Sequence, residues 1–296
     1  MWDEYLFPGS IQETLEILQS RNGNARIIAG GTDLIPQLKA RAKNVSCLVD
    51  ISRIKELSVI EEKNNSILVG AGVTHAQLAS SPLIRKRALV LAEAALAVGS
   101  PLIRNQGTIA GNIVNAQPAA DTAVALFSLD AQVEISTIKG NKTIPIDKLY
   151  DGIGISKIDS TAEIVTAVCF KCLEDNQGSS FQRLAQRKAL ALPMLNAAAV
   201  VMINKNNFDE ARITVAPVAP LPFRAHKAEA ALKGTAIDAE SINKAADLAA
   251  MESQPRDSAL RGSSEYRREM VTVLVRRALN LAVQRARKPE QNSLEK

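Results

Sequence analysis

Two glycine-bearing turns decide the fold: one has the sequence TIAGNIVNAQPAAD at Thr108–Asp121 and the other AGGTDL at Ala29–Leu34. In each of them, small and polar residues join an extended apolar run to a helical pattern. Such a turn frees backbone N–H groups to meet an anion. Two turns of this kind suit the two phosphates of a diphosphate.

Length and composition predict a globular protein of two or three compact units. The chain has 296 residues, of which 46% are hydrophobic, enough for a substantial core. It contains no run of about eighteen apolar residues, and Met1–Tyr5 carries acids where a secretory signal would place Lys or Arg. We therefore expect a cytoplasmic protein without a membrane span.

Charge and residue usage argue against several functional classes. The net charge is +5, but aromatic residues make up only 3% and basic residues are mixed with acids, so nucleic acid is not an expected partner. Three cysteines and two histidines are too few and too scattered for a disulfide framework or a metal site within this chain. Since no Gly-x-Ser-x-Gly elbow occurs, a hydrolase is also disfavoured.

Hydrophobic periodicity predicts mixed helices and strands up to about residue 172. Ser10–Glu13 has the spacing of a capping box, and the helix that it opens should end at Asn22-Gly23. Further helices are predicted after a cap at Asp33, from Ser80 to Val98, and from Asp121 to about Leu129. The predicted strands are Ala25–Ile28, Cys47–Ile51, Ile67–Val69, Val133–Ser136, Thr143–Ile146 and Glu163–Cys172.

The last part of the chain predicts an antiparallel sheet covered by helices. Polar turn formers at Asp175–Gly178 separate it from the preceding strand and indicate a domain boundary. Its predicted strands are Phe181–Gln186, Ala197–Ile203 and Arg212–Ala216, and its predicted helices are Ala225–Leu232, Ala239–Met251 and Ser264–Arg287.

Each feature of the two turns has a structural as well as a functional explanation. Glycine in the first turn serves either a positive φ or a close approach, and strand-to-helix turns often carry it for geometry alone. The second turn adds the hydroxyl of Thr108 and the amide of Asn112, which a plain turn does not require. Asp121 can accept a hydrogen bond from a sugar hydroxyl or cap the following helix, and the sequence leaves both roles open.

Three other patterns have weaker functional content. Gly70–His75 begins like a dinucleotide fingerprint, but His75 occupies the position of the third glycine, so we expect no Rossmann site. Cys169 and Cys172 lie three residues apart on a predicted strand, which places them on opposite faces and disfavours a redox pair. A basic cluster forms either a solvated face or a docking surface; its members are Arg261, Arg267, Arg268, Arg276 and Arg277.

Spaced motifs over nearly the whole chain closely resemble the flavin-binding medium subunit of molybdenum hydroxylases. That family includes carbon monoxide, nicotinate and xanthine dehydrogenases. The motifs are Ile27–Leu34, Arg104–Asn112, Pro118–Asp121, Phe181–Arg187, Pro220–Ala225 and Arg261–Arg268.

The resemblance implies an α+β fold. It predicts a two-lobed FAD-binding domain of the vanillyl-alcohol-oxidase-like (PCMH) type at residues 1–175, with lobes of about 1–56 and 57–175. A smaller CO-dehydrogenase-flavoprotein-like domain with an antiparallel sheet and helices would follow at 176–296.

The resemblance also implies FAD as the cofactor and electron transfer as the role. Substrate chemistry would occur at the molybdenum cofactor of a molybdopterin-binding large subunit. Electrons would reach this chain through [2Fe–2S] clusters of a small subunit and leave to NAD or another acceptor. No catalytic or metal-ligating residue is expected here.

The resemblance places specific residues at the cofactor. Ala29–Asp33 and Thr108–Asn112 would hold the pyrophosphate, Asp121 the sugar-like part, and Ile164 would lie near the flavin. The full set of expected cofactor-binding residues is Ile27, Ile28, Ala29, Gly30, Gly31, Thr32, Asp33, Leu34, Gly99, Thr108, Ala110, Gly111, Asn112, Asp121, Ile164 and Arg183.

The chain departs from the family pattern in three ways. Ala110 replaces the first of two adjacent glycines, which is tolerable if φ there is negative or the phosphate lies on the other side. Arg183 stands where lysine is frequent, which keeps the charge but changes its geometry. The cysteine-rich loop of benzoyl-CoA-reducing relatives is missing, so no iron–sulfur cluster is assigned to this chain.

Two other functions compete with the electron-transfer role. One is a non-catalytic assembly subunit whose flavin pocket has degenerated around Ala110. The other is a self-sufficient flavin oxidase, which is weakened because the sequence offers no obvious substrate base and no residue near the turns for covalent flavin attachment.

Overall fold

Four β-sheets organise the chain in the computed structural model, which describes residues 2–187 and 191–288. Helices cover these sheets, so the α+β class expected from the sequence is confirmed. No helix in the described ranges is long and apolar enough to cross a membrane.

The chain begins with a small parallel sheet in the strand order β1-β3-β2. Ser10 caps the first helix as expected, because its Oγ accepts a hydrogen bond from the Glu13 N–H at 3.1 Å. The Glu13 carboxylate bonds the Gly9 N–H instead of returning to Ser10. The elements of this unit are β1 (Glu4–Leu6), α1 (Ile11–Ser20), β2 (Ala25–Ile28), α2 (Leu34–Lys39) and β3 (Cys47–Asp50).

A five-stranded antiparallel sheet and six helices follow. The strand order is β4-β5-β10-β6-β7, and β8 pairs separately with β9. The strands are β4 (Ile60–Lys63), β5 (Ser66–Gly70), β6 (Gln132–Thr137), β7 (Gly140–Pro145), β8 (Tyr150–Gly152), β9 (Ile155–Ser156) and β10 (Glu163–Lys171). The helices are α3 (His75–Ser80), α4 (Pro82–Arg87), α5 (Leu89–Ala97), α6 (Pro101–Gln106), α7 (Ile109–Val114) and α8 (Asp121–Ser128).

The single helix predicted from Ser80 to Val98 is wrong, since α4 and α5 occupy this stretch with a break at Ala88 (φ −157°, ψ 53°). Hydrogen bonds from distant residues replace helical ones at the break. The Leu173 N–H donates to the Arg87 carbonyl at 2.9 Å, and the Val90 N–H donates to Ser179 Oγ at 3.1 Å. Hydrogen bonds to residues distant in sequence therefore determine this break, and the local sequence pattern does not reveal such partners.

The second glycine turn does not follow an extended run as expected. Helix α6 precedes it, so the turn joins α6 to α7. Gly99 (φ +48°) and Ser100 separate α5 from α6, and Ser100 Oγ caps α6 by accepting from the Ile103 N–H at 3.3 Å. The prediction missed this helix because it spans only Pro101–Gln106, too short to show a periodic pattern.

The last unit is the antiparallel sheet with helices that the sequence predicted. Its strand order is β11-β12-β13-β14. Gly178 allows α11 to touch the sheet backbone, because an added Cβ there would lie 2.0 Å from the Ala282 carbonyl oxygen. The elements are β11 (Gln177–Leu184), β12 (Leu195–Asn204), β13 (Asn207–Ala216), β14 (Phe223–Arg224), α9 (His226–Leu232), α10 (Ala239–Glu252) and α11 (Ser264–Arg287).

Strand β12 is buried on both faces and joins two hydrophobic cores. Ala198 and Val200 pack into the core that surrounds the five-stranded sheet. Ala197 and Val201 point to the opposite face and pack into the core beneath α10 and α11. This alternation follows from the two-residue period of a strand, and it makes the last sheet a shared wall between the two units.

Arg267 does not belong to an exposed basic surface. It is only 4% exposed and donates hydrogen bonds to the carbonyls of Pro217 and Arg256. Burial is the main cause that lowers the pKa of its guanidinium, with added repulsion from Arg261 and Arg256. Within the basic cluster Arg268, Arg276 and Arg277 are exposed and Arg261 is half-buried, so these four remain candidates for a docking face.

Glu93 on α5 ties the last unit to the helices of the preceding one. Its carboxylate accepts a hydrogen bond from the Phe181 N–H at 2.8 Å. Its other oxygen pairs with Arg285 on α11 at 2.5 Å, and Arg285 also donates to the Ser179 carbonyl at 2.7 Å. Both side chains are largely buried, so these bonds are shielded from water.

We expect Glu93→Ala to lower the free energy of unfolding by about 2–3 kcal/mol, because it leaves a largely buried guanidinium and a backbone N–H without their acceptor. Urea denaturation of purified protein measures the change. The control is Glu4→Ala, which breaks the exposed Arg21–Glu4 pair and should cost less than about 1 kcal/mol. Equal losses in the two variants would contradict the structural importance of Glu93.

Candidate cofactor-binding cleft

A cleft runs between the two glycine turns and is closed on one side by the start of β10. It contains most of the residues that the sequence placed at the cofactor. Those lining residues are Ile27, Ile28, Ala29, Gly30, Gly31, Thr32, Asp33, Leu34, Thr108, Ala110, Gly111, Asn112 and Ile164.

The two glycines of the first turn serve different purposes. Gly31 has φ +67°, a backbone conformation that favours glycine. Gly30 allows close approach of the second turn, since an added Cβ would lie 1.9 Å from the Gln106 carbonyl oxygen and 3.0 Å from Gly107 Cα. Both causes considered from the sequence therefore operate, and the approaching group at Gly30 is the protein's own backbone.

The first turn presents a run of free backbone donors. Within the described residues, the N–H groups of Gly30, Gly31, Thr32 and Asp33 donate to no protein acceptor. All four residues line the cleft. Consecutive free N–H groups in a turn form a concave site for anionic oxygens. The expected side-chain cap by Asp33 is wrong, because Asp33 has a helical backbone (φ −106°, ψ −42°) and makes no capping hydrogen bond.

The second turn uses its polar side chains to hold its own shape. Thr108 Oγ1 accepts from the Gly111 N–H at 3.1 Å and caps α7. Asn112 Oδ1 accepts from Thr122 Oγ1 at 2.7 Å, which links α7 to α8. Ala110 lies in the first turn of α7 and has a negative φ, so its methyl group requires no strained backbone. The condition set for Ala110 from the sequence is thus met.

Cationic side chains line the end of the cleft near α2. Burial lowers the pKa of Arg26, partly opposed by attraction to Asp159. Burial and repulsion from Arg26 lower the pKa of Lys43. Burial raises the pKa of Asp33, the nearest acid that faces the same space. This end of the cleft therefore favours an anionic ligand, because each cation is held in partly desolvated surroundings.

Gly99, Asp121 and Arg183 were also expected at the cofactor but do not line the cleft as the described residues define it. The carboxylate of Asp121 pairs with Arg183 Nε at 3.2 Å and accepts from Asn196 Nδ2 at 2.9 Å. Burial outweighs these favourable contacts and raises the pKa of Asp121 to about 6. Asp121 is the first residue of α8 rather than its N-cap, so the capping role considered from the sequence is wrong.

The sequence analysis missed several residues that line the cleft. Gln37 and Asn115 bridge α2 and the end of α7 through a hydrogen bond of 3.4 Å. His75 lies at the start of α3, in the segment that was set aside as a failed dinucleotide motif. The sequence contains a histidine directly after Thr74, the N-cap of α3. The structure adds that Thr74 pairs with Thr108 of the second turn, which brings His75 to the cleft.

Comparisons with known proteins agree with this geometry. Residues 2–170 match the family model for the FAD binding domain in molybdopterin dehydrogenase. Residues 180–282 match the model for the CO dehydrogenase flavoprotein C-terminal domain. Two domain families, in this order, therefore account for most of the chain.

Individual relatives match over nearly their full length. The carbon monoxide dehydrogenase medium chain of Hydrogenophaga pseudoflava is 30% identical, over 94% of this chain and 96% of that one. The 6-hydroxypseudooxynicotine dehydrogenase complex subunit alpha of Paenarthrobacter nicotinovorans is 32% identical, over 99% and 98%. A solved carbon monoxide dehydrogenase from Hydrogenophaga pseudoflava superimposes with a TM-score of 0.91 at 31% identity, covering 96% of this chain and 98% of that chain.

The likeness to solved structures also extends to quinoline 2-oxidoreductase from Pseudomonas putida 86, with a TM-score of 0.88 at 28% identity and coverage of 96% and 97%. Sequence and fold thus agree with these relatives over nearly the whole chain. The chain belongs to the family of FAD-binding medium subunits of molybdenum hydroxylases, the flavoprotein components of these oxidoreductase complexes.

Proposed function

We propose that this chain carries electrons through FAD bound in the cleft between the two glycine turns. The observation that supports this most directly is the run of free N–H groups at Gly30–Asp33, which offers hydrogen bonds to phosphate oxygens. Bound FAD supplies the redox chemistry that the side chains of this chain lack. The electrons would come from [2Fe–2S] clusters of a partner subunit and leave to NAD or another acceptor.

We propose which residues of the cleft would hold each part of FAD. The N–H groups of Gly30–Asp33 and the second turn from Thr108 to Asn112 would hold the diphosphate, with Arg26 and Lys43 adding positive charge. Apolar residues exclude water from the rest of the cleft; they include Ile51, Val98, Ile103, Ile164 and Val165. Near Ile164, Glu163 is held by Lys142 at 2.5 Å.

Asp121, Arg183 and Gly99 do not line the cleft, but we include them among the proposed cofactor-binding residues. Asp121 and Arg183 form a buried pair that is linked to Asn112 only through the neighbouring Thr122. We propose that they face the sugar-like part and the flavin when FAD is bound. Gly99 follows Val98, which lines the cleft. Gly99 would act indirectly, by shaping the backbone between α5 and α6 that positions Val98.

The domain limits and the setting are proposals of the same kind. We place the FAD-binding domain at 1–175, with lobes of about 1–56 and 57–175, and the C-terminal domain at 176–296. The partners would be a molybdopterin-binding large subunit and a [2Fe–2S] small subunit in the cytoplasm. Relatives named as a medium chain or as a subunit of a dehydrogenase complex support an assembly of several chains.

The purified chain should bind about one FAD without a covalent bond, because two turns face one diphosphate. Reconstitution of the apoprotein followed by titration of flavin fluorescence measures the stoichiometry. Acid precipitation should leave the yellow colour in the supernatant. A chain that binds no FAD would support the alternative of an assembly subunit with a degenerate pocket.

Gly111→Val should weaken FAD binding by roughly 10- to 100-fold, because the added side chain projects into the cleft where the diphosphate is proposed to lie; this range corresponds to about 1.4–2.7 kcal/mol of binding free energy. An added Cβ at this position would meet Thr108 Oγ1, at 3.1 Å, so the side chain of Thr108 has to move by only a few tenths of an ångström. The matched control is Gly152→Val, whose Cβ would meet only Ile155 Cδ1, at 3.6 Å, away from the cleft.

The two glycine variants should show the same circular dichroism and the same urea midpoint. Equal FAD affinity in both would move the cofactor away from the second turn. Gly30→Ala is unsuitable for this test, because its methyl group would collide with the Gln106 carbonyl and disturb the fold itself.

The FAD-loaded chain should accept electrons from a chemical reductant but should not oxidise a hydroxylase substrate by itself, since the molybdenum chemistry is expected on another subunit. Anaerobic stopped-flow absorbance measures reduction, and mixing the reduced protein with NAD or with a quinone identifies the acceptor. Substrate oxidation by the isolated chain would overturn the electron-transfer role and revive the self-sufficient oxidase.

A further inference from the structure

His75 is a buried histidine in the wall of the cleft, and the function proposed above assigns it no role. It is 2% exposed and begins α3 after the capping box formed by Thr74 and Gln77. Its backbone N–H donates to the Gly107 carbonyl at 3.1 Å. The histidine is thereby fixed to the second glycine turn through its main chain.

The imidazole ring lies along the open face of Gly107. A Cβ added to Gly107 would be 3.2 Å from His75 Cδ2 and 3.6 Å from His75 Nε2. Gly107 and His75 both line the cleft. The ring therefore borders the surface of Gly107 that a side chain at this position would cover.

The ring has an unfilled hydrogen-bonding capacity. His75 Nδ1 is buried and has no partner among the described residues, and no protein group there bonds Nε2. Nε2, unlike Nδ1, is not among the fully buried atoms that lack a partner, so it is the ring nitrogen that a ligand in the cleft can reach. If His75 only packed α3 against the turn, burying its unpaired Nδ1 would cost free energy without a benefit, because an apolar side chain could pack there equally well.

The imidazole ring of His75 is uncharged at neutral pH. Burial and repulsion from Arg104 lower the pKa of His75 to about 4. A neutral imidazole has one N–H donor and one acceptor, and the tautomer is set by the partners of the two nitrogens. Because no protein group holds Nδ1, an acceptor in the cleft is free to select the tautomer with hydrogen on Nε2.

We propose that His75 is a direct FAD ligand, whose Nε2–H donates a hydrogen bond to a diphosphate oxygen bound beside the second glycine turn. The inference rests on the proposed placement of FAD in this cleft. It adds a side-chain donor from α3 to the backbone donors of the first turn. The neutral ring contributes direction rather than charge, in contrast to Arg26 and Lys43.

Nitrogen-15 NMR of histidine-labelled protein tests the contact in the wild-type chain. The sequence has only two histidines, and His226→Gln assigns their signals because His226 lies outside the cleft with its side chain 76% exposed. Saturating FAD should fix His75 as the Nε2–H tautomer and leave His226 unchanged. ADP, which also carries a diphosphate, should produce the same change.

Affinity measurements give a second readout. His75→Leu should weaken FAD binding by about tenfold or more, the effect of losing one hydrogen bond to a charged group, whereas His75→Gln keeps a donor and should lose less. His226→Leu is the matched control and should bind FAD like wild type.

The possible failures are distinguishable. If wild type binds FAD but the His75 signals stay at their apo positions, the contact with His75 is wrong while the cofactor assignment stands. A response to FAD without one to ADP would also overturn the diphosphate contact. If wild type binds no FAD at all, the cofactor placement fails, and this inference fails with it.

Discussion

The contact between Gly30 and the backbone of Gln106 and Gly107 is the constraint on which the rest of the structure depends. An added Cβ at Gly30 would stand 1.9 Å from a carbonyl oxygen, so the two turns touch through their main chains. This contact places the free N–H groups of the first turn opposite the second turn, which leads into α7. The cleft lies where the turn after β2 meets the connection between α6 and α7.

The last unit is held to this arrangement by polar contacts in a shared hydrophobic wall. Glu93 accepts hydrogen bonds from both the middle of β11 and the long helix α11. Asp130, just after α8, pairs with Arg212 and Arg224 of the neighbouring sheet. Each contact joins an element of the first unit to one of the second, so the two units have a defined orientation rather than a flexible joint.

The sequence predicted the parts of the fold that depend on local chemistry. The cap at Ser10, the strand Ala25–Ile28 and the glycine turn that follows it are local signals, and the structure contains all of them. The break at Ala88 could not be predicted, because its hydrogen-bond partners lie about ninety residues away along the chain. His75 was missed for the same reason: its position in the cleft depends on α3 meeting the second turn.

The charges in the cleft connect ligand binding to stability. Burial holds the pKa values of Arg26 and Lys43 below their ordinary range, and repulsion from Arg26 further lowers the pKa of Lys43. An anion bound near them would favour their charged forms and oppose both effects. Binding free energy gained in this way stabilises the folded chain, because the unfolded chain has no such site. The cleft therefore carries an electrostatic cost that a bound diphosphate would offset, and hydrogen bonds from the free N–H groups of Gly30–Asp33 would act in the same direction.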